Sequence, residues 1–231
     1  LNDVWTQIGS TINGTGAGFF GTAVSINSQG NIIAVGAPYT NNGNGSVQVF
    51  INNNGTWTQL GSDIDGQQID EYCGEAVSLD DDGYRLAVSS SGINQVKIYD
   101  WDGVSWNPST LPINVQSGGL LGNRIDLTPD GNTIAICGKE NPNRYAQVYS
   151  FDGSNWTQKG SDIAPVQPAV GMYAFGGVIF DIDPQILSIV NVNHEVNIIN
   201  HYASGGWAPN PIMEPMAAAL STNGYTDWRV P

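Results

Sequence analysis

The side chains in this sequence that could do chemistry are few and scattered. Two histidines, His194 and His201, stand seven residues apart, a spacing that matches no zinc site. No Gly-x-Ser-x-Gly elbow and no phosphate-cradling glycine loop occurs. The four arginines, Arg85, Arg124, Arg144 and Arg229, are spread along the chain rather than gathered for a substrate carboxylate. Two cysteines, Cys73 and Cys137, permit one intramolecular pairing. Acidic residues are plentiful, but glycoside cleavage needs two carboxyl groups at a set separation, which position along the chain does not supply. What remains is a polar and aromatic set: Tyr39, Asp70, Glu71, Tyr72, Asn141, Arg144 and Tyr173. Such a set suits a glycan or a protein surface. Four N-glycosylation sequons begin at Asn13, Asn44, Asn54 and Asn155.

The composition narrows the scaffold that could carry these residues. Of 231 residues only 12% are charged, 40% are apolar and 29 are glycine. This excludes a coiled coil, a Lys/Glu-rich bundle and a charged disordered tail. Seven Lys+Arg against 21 Asp+Glu give a net charge of -14. A phosphate-binding surface needs clustered cations, so neither nucleic acid nor an anionic membrane is an expected partner. No apolar run is long enough to span a bilayer; the longest, near 170–180, is interrupted by glycines. The chain starts at Leu1 without a signal-like segment, so the expectation is a removed leader or an excerpt of something longer.

An internal repeat dominates. Trp5, Trp57, Trp106, Trp156 and Trp207 recur at intervals of 49 to 52 residues. Three of them open nearly the same phrase, Trp-Thr-Gln-x-Gly-Ser, from Trp5, Trp57 and Trp156. Gly21–Ser25 matches Gly74–Ser78. Asn31–Val35 matches Tyr84–Val88 and Asn132–Ile136, with Gln185–Ile189 a degraded copy. A last phrase, Val47–Phe50, recurs as Val96–Tyr99, Ala146–Tyr149 and Val196–Ile199 with strict alternation, the signature of a strand with one face inward. Asn53-Asn54-Gly55, Asp102-Gly103, Asp152-Gly153 and Ser204-Gly205-Gly206 supply hairpin turns between phrases. Four short strands per period of about 50 residues describe a blade of a β-propeller. The repeated tryptophan then reads as packing, since burying one removes about 150–250 Å² from water.

Phe20-Gly21 followed by Gly36-Ala37-Pro38 resembles the phenylalanine-glycine/glycine-alanine-proline (FG-GAP) repeat of integrin-α-type propellers. Later copies are degraded to Cys73-Gly74 with Ser89-Ser90-Ser91, Leu121-Gly122 with Cys137-Gly138-Lys139, and Phe175-Gly176. The resemblance implies a strand order with the Ala-Val-Ser phrase innermost and the tryptophan strand outermost. Full sets then fall near 19–61, 73–111, 122–161 and 176–212. A partial fifth set comprises 216–231 with 4–9. The expected fold is an all-β propeller, or a propeller segment, filling 1–231 as a single domain. The open set would be completed either by more blades of a longer chain or by a partner, giving a homo-oligomer or filament through strand addition.

The same strand order places the start of an inner strand and the end of the next strand on one face. Cys73 and Cys137 occupy those places in adjacent blades, so a disulfide is expected. The long loops 10–19, 38–45, 62–72, 108–120 and 161–173 share that face and carry the polar and aromatic set. Many FG-GAP propellers bind calcium in the loop between the first two strands. Here Asp80-Asp81-Asp82-Gly83 is shorter and lacks alternating ligands, which leaves Asp80 and Asp82 as a weak candidate site. Asp63 and Asp65, with Asp70 and Glu71, form a second; no other cofactor is expected. Ser150–Trp156 resembles the Asp-box hairpin of sialidase-type propellers, one residue short. The functional expectation is a non-enzymatic extracellular or surface propeller for adhesion or assembly, recognising a protein or glycan. The alternatives are a structural subunit of a filament or particle, and a carbohydrate-active enzyme with its site at the central channel.

Overall fold

A computed structural model describes residues 6–14, 18–115, 121–138, 146–163, 177–180, 186–190, 196–201 and 207–209. Each period forms one antiparallel sheet. The first runs β1 (Ala23–Ile26), β2 (Ile32–Ala37), β3 (Ser46–Asn53), β4 (Thr56–Gln59), with β5 (Ile64–Asp65) also on β3. The second has β6 (Cys73–Leu79), β7 (Arg85–Ser90), β8 (Gln95–Trp101) and β9 (Trp106–Pro108), with β10 (Ile113–Asn114) on β8. The third is β11 (Leu121–Leu127), β12 (Thr133–Gly138), β13 (Ala146–Phe151) and β14 (Trp156–Gln158). The fourth is β15 (Gly177–Phe180), β16 (Ile186–Val190), β17 (Val196–His201) and β18 (Trp207–Pro209). The expected strand order is therefore observed, and β1, β6, β11 and β15 pack against one another in turn. β5 and β10 were not expected: they lie in segments read as plain loops. Of the partial fifth set, 216–231 lie outside the described residues.

Burial explains the repeated phrases. The second strands, β2, β7 and β12, are covered on both faces, because a sheet stands on either side. Alternation on the strand sends Val77, Leu79, Leu86 and Val88 back toward Ile32, Ala34, Val47 and Val49 of the first sheet. The intervening Ala76, Ala87, Val96 and Ile98 face forward, onto Ile125, Leu127, Ile134 and Ile136 of the third. The serine of the Ala-Val-Ser phrase stitches neighbouring inner strands: Ser25 Oγ accepts the Leu79 N–H and Ser78 Oγ accepts the Leu127 N–H, each at 2.9 Å. This satisfies edge donors that no strand pairs.

Tryptophans tie the first two blades to the preceding repeat, whereas Trp156 Nε1 in the third is buried without a hydrogen-bond partner. Trp57 Nε1 donates to the Ile8 carbonyl at 3.0 Å and Trp106 Nε1 to the Leu60 carbonyl at 2.9 Å. The glycine that follows the acceptor makes room. A Cβ on Gly61 would lie 2.7 Å from the Trp101 ring and 3.1 Å from the Trp106 ring. The phrase Trp-Thr-Gln-x-Gly-Ser thus encodes both sides of one contact.

Candidate functional site

The loop from β5 to β6 passes over the junction of the first two sheets. It is anchored by backbone bonds: Tyr72 N–H to the Gly43 carbonyl at 2.8 Å, and Gly92 N–H to the Glu71 carbonyl at 3.1 Å. Two glycines let it settle. A Cβ on Gly92 would lie 1.8 Å from the Asp70 carbonyl oxygen, and one on Gly43 would lie 2.9 Å from Asp70 Oδ1 and 3.2 Å from Tyr72 Cε1. No larger residue fits either place without displacing the loop.

Glu71 holds the loop from below. Its side chain is fully buried. One carboxylate oxygen accepts from Ser90 Oγ at 2.8 Å and from Lys97 Nζ at 2.5 Å. The other accepts the Gln67 and Gln68 N–H groups at 2.7 and 3.1 Å. Burial alone would raise this carboxyl. The Lys97 and Ser90 hydrogen bonds and the Gln67 N–H outweigh it and hold the group below its ordinary value.

Above that anchor the loop presents aromatic rings. Tyr39 and Tyr72 stand 5.5 Å apart, and Phe19 meets Tyr39 edge-on at 5.4 Å. Phe19 is 71% exposed and Tyr39 49%, so the rings form a surface platform rather than a core. Asp70 sits at its edge and accepts the Tyr72 hydroxyl at 3.3 Å. The Asp70 charge, followed by weaker contributions that include Tyr39 and Glu75, raises the Tyr72 phenol above its ordinary value. Behind it, the Ser91 hydroxyl donates to the Glu75 carboxylate. The backbone here is unusual. Phe19, Asn41, Asn42, Asp70 and Tyr72 all have positive φ, between 51° and 58°. Backbone held there costs energy for residues other than glycine, and such strain concentrates at binding sites.

The structure thus brings Tyr39, Asp70 and Tyr72 of the polar and aromatic set together and places Glu71 beneath them as a buried anchor. Asn141, Arg144 and Tyr173 lie outside the described residues. Phe19 was missed, although the doubled Phe19-Phe20 before Gly21 marked it. The disulfide is not made: Cys73 and Cys137 are free, buried thiols. Cys73 faces the core between the first two sheets and gives its thiol to the Ile64 carbonyl at 3.8 Å. Burial pushes both thiols up to about 12.

Asp80 does not turn outward with Asp82 as a cation ligand. Its Oδ1 accepts the N–H groups of Gly83, Tyr84 and Arg85 at 2.8 to 3.1 Å, the turn-capping role that Asn27 fills in the first sheet. The second acidic candidate loses two of its four members, since Glu71 goes to Lys97 and Asp70 to Tyr72, which leaves Asp63 and Asp65 beside β5. Among the described residues no three His, Cys, Asp or Glu side chains converge as metal ligands. Asp152 Oδ1 accepts the Ser154 and Asn155 N–H groups, so the Asp-box-like segment is a structural hairpin. Arg85 forks onto Asp100 at 2.7 and 3.1 Å and reaches the Gly131 carbonyl of the next blade at 3.2 Å. Of the sequon asparagines, Asn13, Asn54 and Asn155 are exposed, while the half-buried Asn44 amide donates to the Gly66 carbonyl at 3.4 Å.

A groove of about 560 Å³ runs beside the anchor, lined by Asp63, Lys97, Tyr99, Trp106 and Leu111 among others. It lies against the outer strands, and burial pushes its Tyr99 phenol up.

No protein-family model matches this chain, and no curated protein matches it. Solved structures do. The periplasmic gluconolactonase of Pseudomonas aeruginosa is 15% identical with a TM-score of 0.59, over 81% of this chain and 55% of that one. A proposed 6-phosphogluconolactonase of Bacteroides fragilis is 12% identical with a TM-score of 0.57, over 81% and 52%. A chain of the nidogen–laminin complex is 13% identical with a TM-score of 0.53, over 77% and 59%. At such identities the likeness shows the fold: this is a β-propeller of four-stranded antiparallel blades. It supports propellers in general rather than the FG-GAP type. The chain spans little more than half the length of these neighbours. The expectation of a non-enzymatic adhesion propeller is overturned here. Neighbours named as lactonases fit the carbohydrate-active alternative better than an adhesive role. Among the described residues no helix is long and apolar enough to cross a membrane.

Proposed function

We propose that this chain is the propeller of a carbohydrate-active enzyme that hydrolyses the lactone of a sugar acid. The observation that carries this reading is the exposed platform Phe19–Tyr39–Tyr72 with a carboxylate at its rim. Aromatic faces receive the C–H face of a sugar ring, and Asp70 accepts hydrogen bonds from its hydroxyls. The site lies on the loop face, at the junction of two blades, rather than at the central channel. In the reaction Asp70 takes a proton from water as the water oxygen bonds to the lactone carbonyl carbon. The ring C–O bond then breaks and its oxygen regains a proton. Substrate binding redirects the single Tyr72 hydroxyl hydrogen from Asp70 to the oxygen on which charge develops. Among the described residues no lysine or arginine belongs to the platform, and the substrate proposed is an unphosphorylated sugar.

The reading includes an extracellular or surface location, supported by the exposed sequon asparagines Asn13, Asn54 and Asn155. The FG-GAP relationship belongs with it as well. Its one full copy supplies Gly36, where a Cβ would lie 2.0 Å from the Gly74 carbonyl oxygen of the next blade. The test is proton release from glucono-1,5-lactone in a pH-stat. Turnover above buffer should fall about a hundredfold in Asp70→Asn. Tyr39→Ala should raise KM with little change in kcat. Absence of turnover on the free lactone, its 6-phosphate and related lactones would end the proposal.

A further inference from the structure

We propose that the first blade holds a calcium-type divalent cation beneath the loop 40–43, independently of the activity proposed above. The place is a cavity of about 210 Å³ whose lining includes Ser46, Gln48, Asp63, Asp65, Thr40 and Asn41. Strand register gathers these groups. Ser46 of β3 lies directly opposite Asp65 of β5, and Gln48 follows two residues along on the same face. Two observations call for a ligand. Ser46 is 94% buried, the complement of its 6% exposure, and its Oγ has no hydrogen-bond partner. A buried hydroxyl left unpaired costs about 1–3 kcal/mol. No hydrogen bond reaches the Asp65 carboxylate among the described residues.

The second blade shows what a self-sufficient version looks like. There the corresponding pair is Gln95 and Asn114, joined by an Nε2–Oδ1 bond of 3.0 Å. Pro112 stands where the first blade has Asp63, and Lys97 where it has Gln48. The first blade thus places two carboxylates and an unused hydroxyl where the second has neutral partners and a cation of its own. Asp63 is shared with Gln48 and Gln59 amides, at 2.6 to 3.0 Å, but amides bring no charge. An acceptor-rich, net-negative cavity selects a hard cation with oxygen ligands, water completing its shell. A neutral polyol would leave both charges uncompensated.

The experiment is calorimetric titration of the intact chain with CaCl₂, beside MgCl₂ and glycerol. The expected result is a saturable one-to-one heat with Ca²⁺. Asp65→Asn should weaken it about tenfold or more, and Ser46→Ala should weaken it less. Asp65 is exposed, so its substitution spares the core, and Ser46→Ala provides a second, neutral variant. No heat with Ca²⁺, equal heat in Asp65→Asn, or saturation by glycerol instead would each overturn the site. Lactone turnover is not the readout, so failure here leaves the proposed activity standing.

Discussion

The first and second blades meet the same structural demand with different chemistry. In the first, Asp63 is clamped between Gln48 and Gln59. The third blade repeats this as Gln147 and Gln158 on Asp162, at 2.9 and 2.7 Å. In the second blade Lys97 stands where the glutamine was, and its partner is Glu71 from the loop that enters the blade. A half-solvated clamp of amides on a carboxylate has become a buried ion pair, and the loop above that pair carries Asp70 and Tyr72. The repeat is conservative where it only closes a blade. It departs where a loop is held out to present side chains.

The difference can be broken most forcefully at the ion pair. Lys97→Met should cost about 3–5 kcal/mol in urea unfolding, because Glu71 is left charged and buried without its partner. Gln48→Met in the first blade should cost about 1 kcal/mol, since Asp63 there stays exposed and keeps Gln59. Equal losses would mean the two clamps are equivalent.

Acid sharpens the same contrast. The folded Glu71 carboxyl titrates below its ordinary value of 4.5. Its stabilisation is therefore complete above that value. It is lost as pH falls through the folded value, because the unfolded chain takes up its proton first. The effect should be present in Gln48→Met. In Lys97→Met the strongest charge partner is gone, so Glu71 should lose much of this acid dependence. An identical acid limb in both variants would count against the ion pair.

Two glycines extend the comparison to packing. Gly55, in the exposed hairpin of the first blade, has φ of +88° and nothing within 4 Å of an added Cβ. Gly55→Ala should cost about 1–2 kcal/mol from the backbone alone. Gly61, with φ of +83°, lies under Trp101 and Trp106 of the second blade, so Gly61→Ala should cost about 1–3 kcal/mol more. A match between the two would remove the inter-blade tryptophan contact from the account. The smallest effect concerns the thiols. Native protein should take up no alkylating reagent, and protein unfolded without reductant should take up two groups. Two unreactive sulfurs after unfolding would restore the disulfide.

Most of the scaffold was legible because repetition multiplies weak signals. One Trp-Thr-Gln-x-Gly-Ser phrase means little, but three in register with alternating strands identify a module. The short strands β5 and β10 were not read from the sequence, although Ile64 and Ile113 stand at one offset behind Trp57 and Trp106, because two residues carry no periodicity of their own. The site was legible only in part. Tyr39, Asp70 and Tyr72 were found as loop residues of suitable type. That Glu71 turns inward depended on Lys97, 26 residues away, and on Ser90.

The FG-GAP resemblance implied the strand order within a blade; by itself the sequence determined the period, four short strands in each and the acidic, cation-poor composition. These rest on local alternation, turn chemistry and composition, each read within a few residues. The tertiary structure alone decided which of two neighbouring acids is buried, that the cysteines stand apart, and that Ser46 meets Asp65 across a ladder. Each of those outcomes depends on what a distant strand places opposite a side chain. Burial and pairing are properties of that juxtaposition and not of the residue.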